Sequence, residues 1–213
     1  MKKLIRIAFV FVVALALVAP AFAASSAANA EKLAQGFLKF EAGLKNAQAQ
    51  VNAVLKSLND VSTATGADVT KKYNTFAKEV KNMQGEAKDI KGDAADAQKA
   101  RDNYMAAWQA DQKKIQNPDL QKASEARRAE LQPNIDNLKE ALTNAGATAV
   151  PFLQDLTDLT LYLGNNLTPS GIAGASTLIQ KCNTDGAKVN ADIDTGIGAL
   201  KALGAQVAPS VAK

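Results

Sequence analysis

The sequence predicts an all-α protein, an elongated antiparallel four-helix coiled-coil bundle, and three observations predict it. Apolar residues recur at alternating steps of four and three over most of the chain. The connections between these stretches are short, and alanine is abundant while aromatic residues make up only 5% of the composition. A 3.5-residue repeat gathers its members into one stripe along a helix, and such a stripe must be hidden against other helices. Alanine loses no side-chain entropy in a helix, and a core of small side chains suits a thin rod.

The chain opens Met1-Lys2-Lys3-Leu4-Ile5-Arg6, runs apolar from Ile7 to Val18 and continues Pro20-Ala21-Phe22-Ala23-Ala24. A positive start, a short apolar segment and an A-x-A site describe a secretory signal peptide over residues 1–23, cut after Ala23 or Ala24. The apolar run falls short of the roughly 20 residues that span a membrane, and retention as an N-terminal anchor is the alternative. No cysteine follows the cut to carry a lipid. The expectation is a periplasmic or extracellular protein in which residues 24–213 form a single helical-bundle domain. Losing Lys2, Lys3 and Arg6 leaves 22 bases against 21 acids, a net charge of +1. The basic balance of the whole chain therefore argues for no nucleic-acid partner.

The first helix is expected over residues 30–64. Its stripe reads Leu33, Phe37, Phe40, Leu44, Ala47, Val51, Val54, Leu58 and Val61, all apolar. Thr65-Gly66 ends it, since glycine takes the left-handed conformation without strain. The second helix, residues 67–116, carries Val69, Tyr73, Phe76, Val80, Met83, Ala87, Ile90, Ala94 and Ala97, then Arg101, Tyr104 and Trp108. At 1.5 Å per residue it extends about 75 Å.

Asn117-Pro118-Asp119 separates it from a third helix at 119–164, because the residue before proline leaves the α region and proline suits a first helical turn. That stripe reads Leu131, Ile135, Leu138, Leu142, Ala145, Ala149, Phe152, Leu156, Leu159 and Leu163. Pro133 and Pro151 lie within it and predict kinks or a break. Gly164-Asn165-Asn166 closes the helix, and Thr168-Pro169 reads as the cap and first residue of a fourth, 169–207. Its stripe runs Ile172, Ala175, Ile179, Cys182, Gly186, Val189, Ile193, Gly196, Leu200, Leu203 and Val207, with Pro209 to Lys213 fraying beyond. Short loops leave each helix beside its predecessor, giving a closed monomer, or an open coiled coil that completes its core as a homodimer.

The chemistry-bearing residues form no catalytic, cofactor or metal constellation. Histidine is absent, which removes the commonest general base and transition-metal ligand. No Gly-rich phosphate loop or nucleophile elbow occurs. Asn190, Asp192 and Asp194 alternate like the first ligands of a calcium loop, but the turn glycine, Gly196, stands one place late and Lys201 occupies the position of the bidentate acid. These three are read as helix surface. Cys182, the only cysteine, falls on the seam and reads as buried core, the alternative being an intermolecular disulfide or a reactive thiol. Tyr104 and Trp108 read as core or end packing rather than an aromatic binding patch. Arg101 marks a bundle end or an ion pair with Asp155 or Asp158. Arg127-Arg128 is solvated helix face. The segment Gly196 to Gly204 has the small, apolar and basic character of a membrane-surface helix, yet its seam residues continue the core pattern.

Several phrases together resemble a family of exported bacterial helical proteins known only as a domain of unknown function, some of whose members are described as lipoproteins. The matching phrases are Tyr73-Asn74-Thr75-Phe76 with Met83, Tyr104 to Trp108, Ser124 to Leu131, and Pro151 to Leu167, the last being the most specific. The resemblance spans Tyr73 to Val207 and implies a coiled-coil bundle outside the cytoplasm with no assigned activity. It carries over no functional residue. The sequence departs from lipid-anchored members in lacking a cysteine after its leader.

The functional expectation is a non-enzymatic structural or protein-interaction protein of the bacterial cell envelope, acting as a scaffold or adaptor on protein partners. A lipid- or membrane-surface-binding amphipathic protein, in peripheral membrane contact, is the alternative, and an enzyme ranks third.

Overall fold

The computed structural model describes residues 26–207; residues 1–25, where a leader is expected, and 208–213, where fraying is expected, lie outside it. Helix accounts for 92% of the described residues, and none of them is in a strand. Five helices follow in order: α1 Ser26–Ser62, α2 Asp68–Gln112, α3 Pro118–Asn165, α4 Pro169–Gly174 and α5 Ser176–Val207. No helix among the described residues is long and apolar enough to cross a membrane.

The helix ends follow from local chemistry. Gly66, at φ 61°, makes the left-handed turn between α1 and α2. The Asn117 side chain accepts from the backbone N–H groups of Asp119 at 2.9 Å and Leu120 at 3.2 Å, with Pro118 as the first residue of α3. Thr168 caps α4 by accepting from the Gly171 N–H at 3.0 Å. The third helix closes on Asn165 and Asn166, whose side chains donate to the carbonyls of Leu161 and Tyr162 at 3.0 and 2.9 Å. Gly164 takes no part as a left-handed cap, since Gly66 alone has positive φ among the described residues.

Besides the first helix, which runs Ser26–Ser62 rather than 30–64, three further expectations are corrected. The second helix stops at Gln112 rather than 116, four residues short, and a turn follows. The fourth is divided at Ala175 into α4 and α5. Gly171 lies so close to the Asn166 carbonyl that a Cβ there would collide with backbone, and Gly174 sits against the Tyr162 hydroxyl. The chain makes these close approaches before α5 starts. The third departure is that α3 runs unbroken through Pro133 and Pro151. A proline forfeits one backbone hydrogen bond and strains the preceding turn. Burial of Leu131 and Phe152 beside the two prolines holds the helix across both sites.

The four long helices meet in a definite order. α1 lies against α2 and α5, α3 lies against α5, and α3 meets α2 more sparsely. Between α1 and α2, Lys39 pairs with Asp93 at 2.8 Å, Gln50 with Glu79 at 2.9 Å and Asp60 with Lys72 at 3.4 Å. Between α3 and α5, Asn134 meets Gln206 at 2.8 Å, Thr148 meets Asp192 at 2.7 Å and Asp155 meets Lys181 at 2.5 Å. α2 and α3 are joined by Tyr73 to the Thr160 carbonyl at 3.0 Å and by Trp108 to Ser124 at 2.8 Å. In every set the partner numbers fall along one helix as they rise along the other.

The core follows the stripes. All nine stripe residues of α1 are buried, and in α5 every one from Ile179 to Val207 is. Cys182 is fully covered. The stripes of α2 and α3 are covered completely only in parts, and that difference locates the candidate site.

Candidate functional site

The residues singled out in the sequence do not converge. Asn190, Asp192 and Asp194 lie on one helix and face two different neighbours. Asn190 donates to Asn52 at 2.8 Å and Asp194 accepts from Gln48 at 2.9 Å, both on α1, while Asp192 accepts from Thr148 on α3. No group of three or more acidic or sulfur ligands that could hold a metal is found among the described residues. Burial pushes the Cys182 thiol up to about 12, with the Asp155 carboxylate adding to the effect. A thiol so held stays protonated and unreactive at neutral pH.

Trp108 is half-buried, its indole N–H satisfied by the Ser124 hydroxyl, and its ring lies 5.6 Å from that of Tyr104 at 58°. This is packing between α2 and the start of α3. Arg101 makes no ion pair with Asp155 or Asp158. Asp155 is taken by Lys181 and Asp158 by Gln154, whereas Arg101 bonds its neighbour Asp102 at 2.7 Å. Arg127 donates to the Gln206 carbonyl at 3.1 Å, satisfying a backbone acceptor near the end of α5. Gly196, Ile197, Leu200 and Leu203 are buried in α5, so the apolar residues of that segment serve the core.

The phrases that carried the family resemblance are brought together in pairs. Tyr73 reaches across to the last turns of α3, where its hydroxyl donates to Thr160 and lies over Gly164. A Cβ on Gly164 would stand 2.6 Å from that oxygen, so glycine here makes room for the tyrosine. At the far end Trp108 meets Ser124. Two of the phrases thus tie one end of the α2–α3 junction, and the other two tie its opposite end.

Between these ties the junction is open. A cavity of about 80 Å³ lies between Met83, Ala87 and Ile90 of α2 and Leu142, Ala145 and Ala149 of α3, with Leu44 and Ile193 behind it. A second, of about 70 Å³, continues past Leu142 to Ala94, Arg101, Ile135 and Leu138, with Phe40 and Leu200 behind. A small third void of about 10 Å³ extends the line past Arg101 to Tyr104 and Met105. The first two share Leu142, and the second and third share Arg101 and Ile135, so the voids follow one another in a line, an interrupted apolar groove over the middle of α2 and α3. Ile90, Ala94, Ile135, Leu138 and Leu142, all predicted as core, are only half-buried along it.

Its polar groups are few. Glu86 stands beside the central cavity, and Gln98, Arg101 and Lys139 line the second. Burial raises the Glu86 carboxyl above the usual carboxylate range, and Asp89 and Asp93 add to the rise. Glu86, Gln98 and Lys139 were not anticipated in the sequence. Each directly flanks a stripe residue, respectively Ala87, Ala97 and Leu138, and flanking positions in a heptad are routinely polar. Only the parting of the helices distinguishes these three.

Comparison with curated proteins found no match, and comparison with solved structures found none. A family match covers residues 31–203, from the first turns of α1 almost to the end of α5. With its helices, its paired phrases and this coverage, the chain belongs to the family described as "Protein of unknown function (DUF2959)".

Proposed function

We propose that this chain is a non-enzymatic structural or protein-interaction protein of the bacterial cell envelope, exported through its leader and built as an elongated antiparallel four-helix bundle. The observation that carries the reading is a ladder of polar pairs between α1 and α5. Glu41 faces Lys201 at 3.6 Å, Gln48 faces Asp194 at 2.9 Å, Asn52 faces Asn190 at 2.8 Å, and Asn59 and Asn183 exchange amide hydrogen bonds at 3.0 and 2.9 Å. The rungs are spaced seven, four and seven residues on both helices, over about 27 Å.

A ladder at this spacing holds two helices in one register, because a slip would leave every rung mismatched. The shifted ionisable groups support the same reading. Glu41 is held below the usual carboxylate range chiefly by Lys45, Glu79 by Gln50, and Lys181 is raised by Asp155 and Asp185. These partners brace the helix surface rather than a cleft. The product is a stiff, polar, mixed-charge rod suited to holding other proteins at a distance, and the full burial of the α1 stripe and of the α5 stripe from Ile179 onward within one chain favours a monomer over a homodimer.

Photoreactive residues placed singly at the exposed positions Leu38, Leu120 and Tyr162 test this in the native cell. The expected result is recurrent crosslinking to one or two envelope proteins from a subset of these positions. Absence of any recurrent adduct from all three would count decisively against a scaffold.

The half-covered α2–α3 stripes favour a second reading, in which helices part to lay apolar faces on a membrane surface. Flotation with anionic vesicles tests it, and a chain that stays in the dense fraction removes it.

A further inference from the structure

We propose that the groove between α2 and α3 is a binding site for a free, single-chain anionic amphiphile of the long-chain fatty-acid class, with its carboxylate at Arg101 and Lys139 and its tail running toward Met83. This goes beyond the scaffold reading and stands without it. Three observations carry the proposal.

First, the three voids lie in one line, the two larger ones parted by Leu142, and the length of that line fits. The hydrocarbon core of a bilayer, two acyl chains deep, is about 30 Å thick, so one chain needs about 15 Å. From Arg101 to Met83 along α2 is about 27 Å at 1.5 Å per residue, ample for one extended chain. The wall is apolar apart from Glu86 at the central cavity and Gln98, Arg101 and Lys139 at the second, and Leu142 lines both.

Second, the charge is placed at one point. Arg101 and Lys139 line the same cavity from opposite helices, with the Gln98 amide between an apolar floor and the rim. Asp102 accepts from Arg101 through a single oxygen, Oδ1, which takes Nε at 3.0 Å and one terminal nitrogen at 2.7 Å. A guanidinium has five N–H donors, so donors remain for a second carboxylate. Lys139 is exposed and has no ion-pair partner within 4 Å among the described residues. An anionic head therefore finds two cations beside an apolar trough, and a cationic head finds repulsion.

Third, the walls can move. α2 and α3 share the sparsest of the four long-helix junctions, and their side-chain ties lie toward the ends of the groove, at Tyr73 and Gln84 on one side and Trp108 on the other. The resting cavities, at about 70 and 80 Å³, are smaller than the roughly 150 Å³ that admits benzene. Entry of a chain therefore requires Leu142 and its neighbours to shift outward. Between the ties at Gln84 and Trp108 no side-chain hydrogen bond joins α2 to α3 among the described residues to oppose that displacement.

The test is titration of the full chain with a fluorescent long-chain fatty acid, with Lys139→Glu, Ala145→Leu and a long-chain alkylamine as comparisons. The expected result is saturable binding of one molecule per chain, weakened tenfold or more by Lys139→Glu, with unchanged helicity. Ala145→Leu fills the central cavity and is expected to weaken binding similarly while thermal stability holds or rises. The alkylamine is expected to compete at least tenfold more weakly than the acid. Non-saturable uptake, equal binding of acid and amine, or affinities unmoved in both variants would overturn the site. So would sedimentation showing a dimer in which Gln98 and Lys139 crosslink between copies, since the groove would then be filled by a second chain.

Discussion

The α1–α5 seam and the α2–α3 seam are written in the same heptad repeat and differ in how closely they shut. On α1 every stripe residue from Leu33 to Val61 is buried, and α5 matches it from Ile179 onward. On α2 and α3 the stripe is fully covered at Phe76, Val80, Phe152 and Leu156 but half-covered at Ile90, Ala94, Arg101, Tyr104 and Trp108, on either side of the buried Ala97, and from Ile135 to Leu142. Residue size accounts for part of the difference. α5 carries glycine where α1 presents a large side chain, and a Cβ on Gly186 would stand 2.7 Å from Leu55 Cδ1. α2 and α3 instead bring Ala87 to the same cavity as Ala145 and Ala149, small residues on both sides, while Ala94 lines the next cavity with Ile135, Leu138 and Leu142. Small against large interdigitates and closes, whereas small against small leaves a void that the two helices do not collapse to fill.

The contrast predicts that the two seams respond differently to the same substitution. The largest effect is expected for Leu58→Ala on α1, at about 3 to 5 kcal/mol, against about 2 kcal/mol or less for Leu142→Ala, which already borders empty space. Denaturant unfolding of the two variants measures it, and equal losses would dissolve the distinction. Next comes Gly186→Val, which overfills the close α1–α5 contact and is expected to cost about 1 to 3 kcal/mol. Pairing it with Leu55→Ala should recover part of that loss, since the two sites share one space.

A smaller effect separates the seams by pH. The folded state holds Glu86 with a raised pKa, so its contribution to stability is fully present below the unfolded value of about 4.5 and is lost as pH rises through the folded value. Glu86→Gln should flatten the melting temperature over that window and raise it at neutral pH. An unchanged pH profile would mean the carboxylate is well solvated. The smallest effect is a rate. Cys182, closed in the tight seam and pushed up to about 12, should label with thiol reagents only over hours at neutral pH. A cysteine placed at Ala145 in the open seam should label many times faster.

The helices themselves were legible because a heptad stripe is a local property. Gly66, Asn117 and Thr168 act where their residue types predict, since a cap needs only its own few neighbours. The Cys182 reading holds for the same reason, as an apolar position in an unbroken stripe. Of the kinks or break that local rules predict at Pro133 and Pro151, the break does not occur, because packing across helices outweighs the backbone penalty, and the division at Ala175, beside the close approaches of Gly171 to Asn166 and Gly174 to Tyr162, was not anticipated. Arg101 could not be assigned a partner from the sequence because the stretch of α3 that it faces depends on the register of the two helices, which sets it beside Ile135, Leu138 and Lys139 while Asp155 pairs with Lys181 of α5. The leader and the frayed tail remain expectations of the sequence, and both lie outside the described residues.

By itself, the sequence determined that this protein is helical, where most of its helices begin and end, and which face of each is apolar, because all of these depend on residues within a turn or two. The tertiary structure decided which stripes shut and which stand apart. Closure depends on the pairing of side-chain volumes between residues far apart in the chain. Ala87 is an ordinary core alanine until Ala145 is placed opposite it, and Lys139 is a solvated lysine until Arg101 faces the same groove.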